Sequence, residues 1–235
     1  MTATGAHTVK AFDEDIEQLR ALVAELGGCA ESAIHQAMAA LARLDAEAAA
    51  AVIEHHHRID AIAADIERRG LCIIALRAPM ADDLREVLAA LKTAHAAARI
   101  GDRAKSIARR IPLIGRTRGL AAHAMLPRLA AFASAMVAAA LDAFAGREPG
   151  AVETLGVRRG ELGQVYDSLF AASLADMVDD PHNITSCAHL LFVAQSLEQI
   201  ADHAVEIAGI SFFAATGGPW PPLAPRLAET APQPL

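Results

Sequence analysis

The sequence predicts an all-α protein made of two tandem three-helix bundles related by pseudo-twofold symmetry. Alanine dominates the apolar residues and aromatic residues make up only 4% of the 235-residue chain; alanine and leucine favour helix, whereas β-rich proteins depend on β-branched and aromatic residues. Apolar residues recur with helical spacing along most of the chain, interrupted at well-separated prolines. The chain also resembles itself at an offset of 100 residues, which indicates an internal repeat.

The periodic stretches and the breaks between them predict six helices. Their expected ranges are 9–44, 46–77, 81–110, 118–145, 151–178 and 183–214; the second ends before Pro79, the third before Pro112, the fourth at Gly146 and the fifth near Pro181. Helices of ~30 residues are ~45 Å long. That length favours an elongated antiparallel bundle.

The repeat sets the expected domain boundaries. Leucine, isoleucine and aspartate recur at the same places in the third and sixth helices, as in the pairs Leu91 and Leu191, Ile100 and Ile200, Asp102 and Asp202, Ile107 and Ile207. We therefore expect one three-helix unit over residues 1–112 and a second over 113–215. Residues 216–235 hold six of the eleven prolines, so this tail is expected to be disordered or loosely docked.

Charge and composition exclude several classes of protein. A net charge of -7 makes the chain a poor general nucleic-acid binder. The N-terminus has no apolar signal region, and the apolar run 129–141 is too short to cross a bilayer, so we expect a soluble, cytoplasmic protein without direct membrane insertion. Cys29, Cys72 and Cys187 have no zinc-site spacing and are expected to be buried thiols.

Three carboxylates share one face of the sixth helix. Glu198, Asp202 and Glu206 are spaced four residues apart, so each is turned only ~40° from the one before it. Like charges at this spacing repel one another and need a cation or water close by. The stripe therefore predicts either a metal site or a solvated acidic face.

Four segments of the chain carry a distinctive pattern: AFDEDIEQL (11–19), ALRAPMADDLREVLAALK (75–92), ARIGDRAKSIA (98–108) and DDPHNITSCAHLLFVAQSLEQIADHAVEIA (179–208). In this order they resemble the PhoU family, the regulators of the phosphate-specific ABC transporter and its two-component system. The resemblance covers about residues 7–210. It implies two three-helix bundles, each with a Glu-x-x-x-Asp motif that can bind iron or zinc, often as multinuclear clusters.

The two motifs of this chain match the family unequally. The second motif matches at Glu198 and Asp202, whereas only Asp102 matches in the first, where Ala98 and Ser106 stand at the other two positions. We therefore expect iron or zinc in the second half, and a weak or empty site in the first.

Of the other positions that the resemblance marks, some match the family and some depart from it. Glu206 stands where the family commonly has Asn. The fifth helix keeps Glu161 of the family's acidic run but has Gly163 where an Asp is usual, and the second helix keeps Asp60.

Histidines and basic residues form two further patterns. The run His55–His57 points in three directions and is expected on a solvated face. His95 is expected to be a surface or interhelix histidine, and His203 to be structural. Seven basic residues lie close together: Arg99, Arg103, Lys105, Arg109, Arg110, Arg116 and Arg118. They either complement the negative end of the third helix dipole or form a docking surface for an acidic partner.

No nucleophile elbow, phosphate-binding loop or zinc-protease motif occurs, so the chain is expected not to be an enzyme. The resemblance implies a homodimer that damps the phosphate-starvation response, with the transporter's ATPase subunit and the sensor histidine kinase as partners. Two alternatives remain open. One is a metal-handling helical bundle, whose sites take Glu and Glu-x-x-His motifs from several helices. The other is a purely structural accessory domain of a transporter.

Overall fold

The computed structural model describes residues 3–115 and 119–218, and it confirms the all-α prediction. Helices account for 92% of these residues and no strand occurs among them. The six long helices are α1 (Ala3–Arg43), α2 (Ala46–Arg77), α3 (Asp82–Arg110), α4 (Ala121–Gly146), α5 (Ala151–Asp179) and α6 (Ile184–Thr216). Short 3₁₀ turns at Ile111–Leu113 and Pro181–Asn183 follow α3 and precede α6.

Local signals explain where the helices begin and end. The backbone N–H of Ala48 donates to the Asp45 carboxylate at 2.9 Å, which caps α2. Ala78 adopts a left-handed conformation directly before Pro79, and α2 stops there. The fourth helix begins at Ala121, three residues later than predicted: Gly119 has φ +89°, and the Ala121 N–H donates to the Asp176 carboxylate of α5 at 2.9 Å.

The six helices form two lobes that share a middle layer. In the first lobe α2 packs against α1 and α3, and in the second α5 packs against α4 and α6. The lobes meet where α3 packs against α6 and α1 against α4. Helices α3 and α6 run antiparallel, since Arg99 contacts His203 and Arg110 contacts His189. They thus hold equivalent places in the two lobes, as the offset of 100 predicts.

Apolar clusters and small residues determine how closely the helices pack. One continuous apolar cluster extends through both lobes and a second fills the outer part of the first lobe. At Gly101 of α3, a Cβ atom would lie 2.6 Å from Cδ1 of Ile59 on α2. Such a contact is too short for any side chain, so this helix crossing requires glycine or a shift of Ile59.

Cysteine burial and the apolar helix differ from expectation. Cys187 is buried, but Cys29 is half-buried and Cys72 is exposed, so the prediction of buried thiols is wrong for Cys72. Helix α4 is longer than the apolar run at 129–141. It has 26 residues, and an 18-residue window of it has a mean hydropathy of 1.7, so by length and composition alone it could cross a membrane. Leu126, Met136 and seven other residues of this helix are buried within the bundle. Of the predicted tail, residues 219–235 lie outside the described ranges.

Candidate functional site

The acidic stripe of α6 does not act as one cluster. The carboxylates of Glu198 and Asp202 turn towards α5, where both contact Arg159. Glu206, one turn further on, instead pairs with His203 of its own helix. The expected trio therefore divides into two sites, each with a basic side chain supplied by the protein itself.

Arg159 lies between the first two carboxylates. Its Nη2 donates to Glu198 Oε1 at 2.9 Å, and its Nε donates to Asp202 Oδ1. The Arg159 side chain is 15% exposed and that of Glu198 10%, so this ion pair is largely shielded from water. Burial acts to lower the pKa of Arg159, but the hydrogen bond to Asp202 and the charges of both carboxylates raise it overall. The guanidinium thus supplies a cation to two of the three carboxylates, Glu198 and Asp202.

Glu206, at the other end of the acidic stripe, lies among a different set of charged side chains. His203 Nδ1 donates to Glu206 Oε2 at 3.1 Å. This hydrogen bond lowers the pKa of Glu206, although burial opposes it, and the charges of His203, His95 and Arg99 lower it further. Glu206 is therefore an anion among bases of α3 and α6.

In the first lobe a buried histidine occupies the corresponding place. His56 of α2 is 4% exposed, and its Nε2 lies 3.1 Å from Asp102 Oδ1 and 3.4 Å from Asp60 Oδ1. Its Nδ1 is buried and has no hydrogen-bond partner among the described residues. The solvated-face prediction is wrong for His56 and right for His55 and His57, which are exposed.

A local signal for His56 was present in the sequence. Val52, His56 and Ile59 follow the i, i+4, i+7 spacing of one helix face, and all three are buried. Gly101 lies opposite: a Cβ there would be 3.6 Å from Cε1 of His56. The histidine therefore continues the apolar stripe of α2 and reaches Asp102 from inside the lobe.

The described residues do not fit the iron or zinc site that the resemblance implies. Glu198 and Asp202 already hold a guanidinium, and Asp102 holds an imidazole. Within residues 3–115 and 119–218, no group of three or more His, Cys, Asp or Glu side chains is arranged to hold a metal ion. Metal binding at Glu198, Asp202, Glu206 or Asp102 therefore stays a prediction.

The basic cluster of α3 divides between two faces. Arg99, Arg103 and Arg110 lie along the contact with α6, and we call these three residues the basic seam. Arg103 Nη1 donates to Gln199 Oε1 at 3.0 Å, and Arg99 Nε donates to His203 Nε2 at 3.4 Å. Lys105 and Arg109 lie on the side of α3 that carries Asp102, while residues 116–118 fall outside the described ranges.

The Arg110 end of the seam carries an aromatic ring. The Arg110 guanidinium carbon lies 3.9 Å from the ring centroid of Phe192, whose side chain is 46% exposed. Arg110 Nη1 also donates to His189 Nδ1 at 3.5 Å. An amide, two imidazoles and an aromatic ring thus hold the seam arginines, and their positive charge is not neutralised by these contacts.

Known proteins match this chain over most of its length. The family model described as the PhoU domain matches twice, at residues 23–111 and 126–210. A phosphate-specific transport system accessory protein PhoU homolog of Zymomonas mobilis is 42% identical over 92% of this chain and 91% of its own length. The homolog of Caulobacter vibrioides is 38% identical over 90% of this chain and 92% of its own.

Solved structures agree with the fold. The crystal structure of PhoU from Pseudomonas aeruginosa superposes with a TM-score of 0.81, at 26% identity, over 88% of this chain and 100% of its own. The phosphate transport system regulatory protein PhoU from Streptococcus pneumoniae, at 24% identity, also has a TM-score of 0.81. The double match of the family model agrees with the two lobes that the helices form. This chain belongs to the PhoU family.

Proposed function

We propose that this protein is a non-enzymatic negative regulator of phosphate uptake. It acts through protein–protein contacts on the phosphate-specific ABC transporter and on the phosphate-starvation two-component response. The observation that carries the proposal is the family match over both lobes, together with relatives at 42% and 38% identity that are named as accessory proteins of phosphate-specific transport. A helical bundle with closely packed helices offers stable faces for such protein–protein contacts.

The partners in this proposal are the transporter's ATPase subunit and the sensor histidine kinase. Both would be met in the cytoplasm, where the protein acts as a homodimer. Neither partner requires the chain to bind nucleic acid or to insert in a membrane. The contact with an acidic partner is assigned to the basic seam of Arg99, Arg103 and Arg110.

Three properties support the basic seam as a docking surface. Its arginines are held in place by Gln199, His189 and His203, so little side-chain freedom is lost on binding. The contacts of Arg103 and Arg110 are not to carboxylates and leave their charges available, while the charge of Arg99 also acts on Glu206. The exposed Phe192 ring beside Arg110 adds an apolar contact, and arginine next to an aromatic residue is a typical centre of a protein interface.

A deletion strain tests the proposed function. We expect constitutive expression of phosphate-uptake genes in phosphate-rich medium when the gene is removed, with normal repression restored by the parent gene. Phosphate uptake should be measured in the same cells. Unchanged expression with reduced uptake would instead identify a purely structural accessory of the transporter and would overturn the regulatory proposal.

The metal-handling alternative has less support. Its di-iron sites require two Glu-x-x-His motifs besides two further glutamates. This chain has one such spacing, from Glu54 to His57, and both side chains are exposed on α2. His57 Nδ1 there lies 2.5 Å from the carbonyl oxygen of Glu54, so the ring bonds to its own helix.

A further inference from the structure

We propose that the guanidinium of Arg159 is the resident cation of the second lobe and stands in for the metal ion that the family resemblance implies there. The second lobe would then keep its shape without any metal, because a cation of the protein itself lies between the two carboxylates. This inference goes beyond the proposed regulatory function and does not depend on it. It rests on the geometry of Arg159, on the residue one turn further along α5, and on the permanence of the arginine charge.

The geometry is that of a shared counter-ion. Arg159 reaches from α5 and engages two carboxylates that lie one turn apart on α6, through Nη2 to Glu198 and through Nε to Asp202. A planar guanidinium suits this task, because its N–H groups point in fixed directions at two acceptors. A divalent ion would have to displace the guanidinium or add two further positive charges beside it. Either step opposes metal binding at these two carboxylates.

A neighbouring residue of α5 also fits the replacement of a metal ion by an arginine. Gly163 stands four residues after Arg159 and therefore on the same face of the helix. A Cβ at position 163 would lie 3.6 Å from Arg159 Nη1, so the guanidinium extends alongside the bare backbone of this glycine. Glycine inside a helix costs about 1 kcal/mol relative to alanine. The resemblance implies that family members usually have an aspartate at position 163. This chain has glycine there, so one carboxylate is missing directly beside Arg159.

The arginine charge differs from a metal charge in one respect. A chelator removes a bound metal, whereas a guanidinium stays protonated at any physiological pH. The second lobe is therefore insensitive to metal supply. In the first lobe the matching group is the imidazole of His56, whose Nε2 lies 3.1 Å from Asp102 Oδ1. The two lobes thus hold their α3 and α6 aspartates by different means.

Thermal unfolding and Mn²⁺ binding test the proposal together. We expect Arg159→Ala to lower Tm by roughly 5 °C, because it leaves Glu198 without this cation in a largely buried place. Arg158→Ala removes the same charge from an exposed neighbouring position and should leave Tm nearly unchanged. A similar fall in both variants would contradict a specific role for Arg159.

The second arm asks whether a metal can replace the arginine. The double variant Arg159→Ala/Gly163→Asp frees two carboxylates and adds a third, so it should bind one more Mn²⁺ per chain than the parent, measured by electron paramagnetic resonance, and Mn²⁺ should raise its Tm. Failure of a folded double variant to bind Mn²⁺ would overturn the proposal.

A third measurement uses the parent protein and does not depend on the folding of any Arg159 variant. Full-length, untagged, EDTA-treated protein is titrated with Mn²⁺ and compared with Glu198→Gln/Asp202→Asn. Equal Mn²⁺ binding by the two proteins supports Arg159 as the resident cation. Binding by the parent that is lost in Glu198→Gln/Asp202→Asn would show that a metal displaces Arg159 and would overturn the proposal.

Discussion

At the scale of single residues, basic side chains decide how the carboxylates of α6 are grouped. The i, i+4, i+8 spacing predicted that these acids need a cation or water close by. It could not identify Arg159, because the spacing along one helix does not say which residue of α5 faces it. Nor could it predict that Glu206 turns instead to His203. The prediction for His56 was wrong for a simpler reason: the three histidines point in three directions, and one of these is the buried face that carries Val52 and Ile59.

The Glu206 site predicts a measurable pH effect. Because its pKa lies below the ordinary 4.5, Glu206 stabilises the fold above that pH, and this contribution is lost as the pH falls below 4.5. His203→Gln removes the largest cause of the shift and should raise the pKa of Glu206 towards its ordinary value. NMR titration of the Glu206 carboxyl carbon measures this change. His55→Gln, at an exposed position of α2, is the control and should leave this pKa unaltered; the same low pKa in His203→Gln would contradict the assignment.

At the scale of helices, boundaries were predictable where a local signal sets them. The range of α2 was predicted without error, since Asp45 caps its first turn and Pro79 follows its end. The start of α4 was predicted three residues early, because it depends on Asp176 of α5, a contact distant in sequence. How closely two helices approach was not predictable either, since a glycine within a helix can mark a weak point of that helix or a close contact with another helix.

The crossing of α2 and α3 gives a prediction at this scale. Gly101→Ala should destabilise the protein by about 1–3 kcal/mol, because the new methyl group would overlap Ile59 at the crossing. Gly28→Ala is the matched control: it lies on the exposed side of α1 with no atom within 4 Å of the new Cβ. It should stabilise the protein by up to about 1 kcal/mol through helix propensity. Urea unfolding measures the change in the free energy of unfolding for both variants. Equal changes would contradict a close contact between α2 and α3 at Gly101.

At the scale of the whole molecule, the repeat predicted two similar lobes but not how they meet. The contact between α3 and α6 turns part of a basic run into a seam, since it selects Arg99, Arg103 and Arg110 and leaves Lys105 and Arg109 on another face. A linear sequence shows such residues as one cluster. Only the packing of the second lobe shows which of them form a shared surface.

The most direct test of regulation through this surface is the affinity of the protein for the cytoplasmic part of the sensor kinase. Isothermal titration calorimetry at about 50 and 200 mM salt would compare the parent with Arg99→Gln/Arg103→Gln/Arg110→Gln. The control Arg43→Gln/Arg128→Gln/Arg158→Gln removes the same charge at exposed positions outside the seam. We expect the seam variant to bind roughly tenfold more weakly at low salt, with a flatter salt dependence, and the control to bind like the parent. Parent-like affinity of a folded seam variant at low salt would contradict the account.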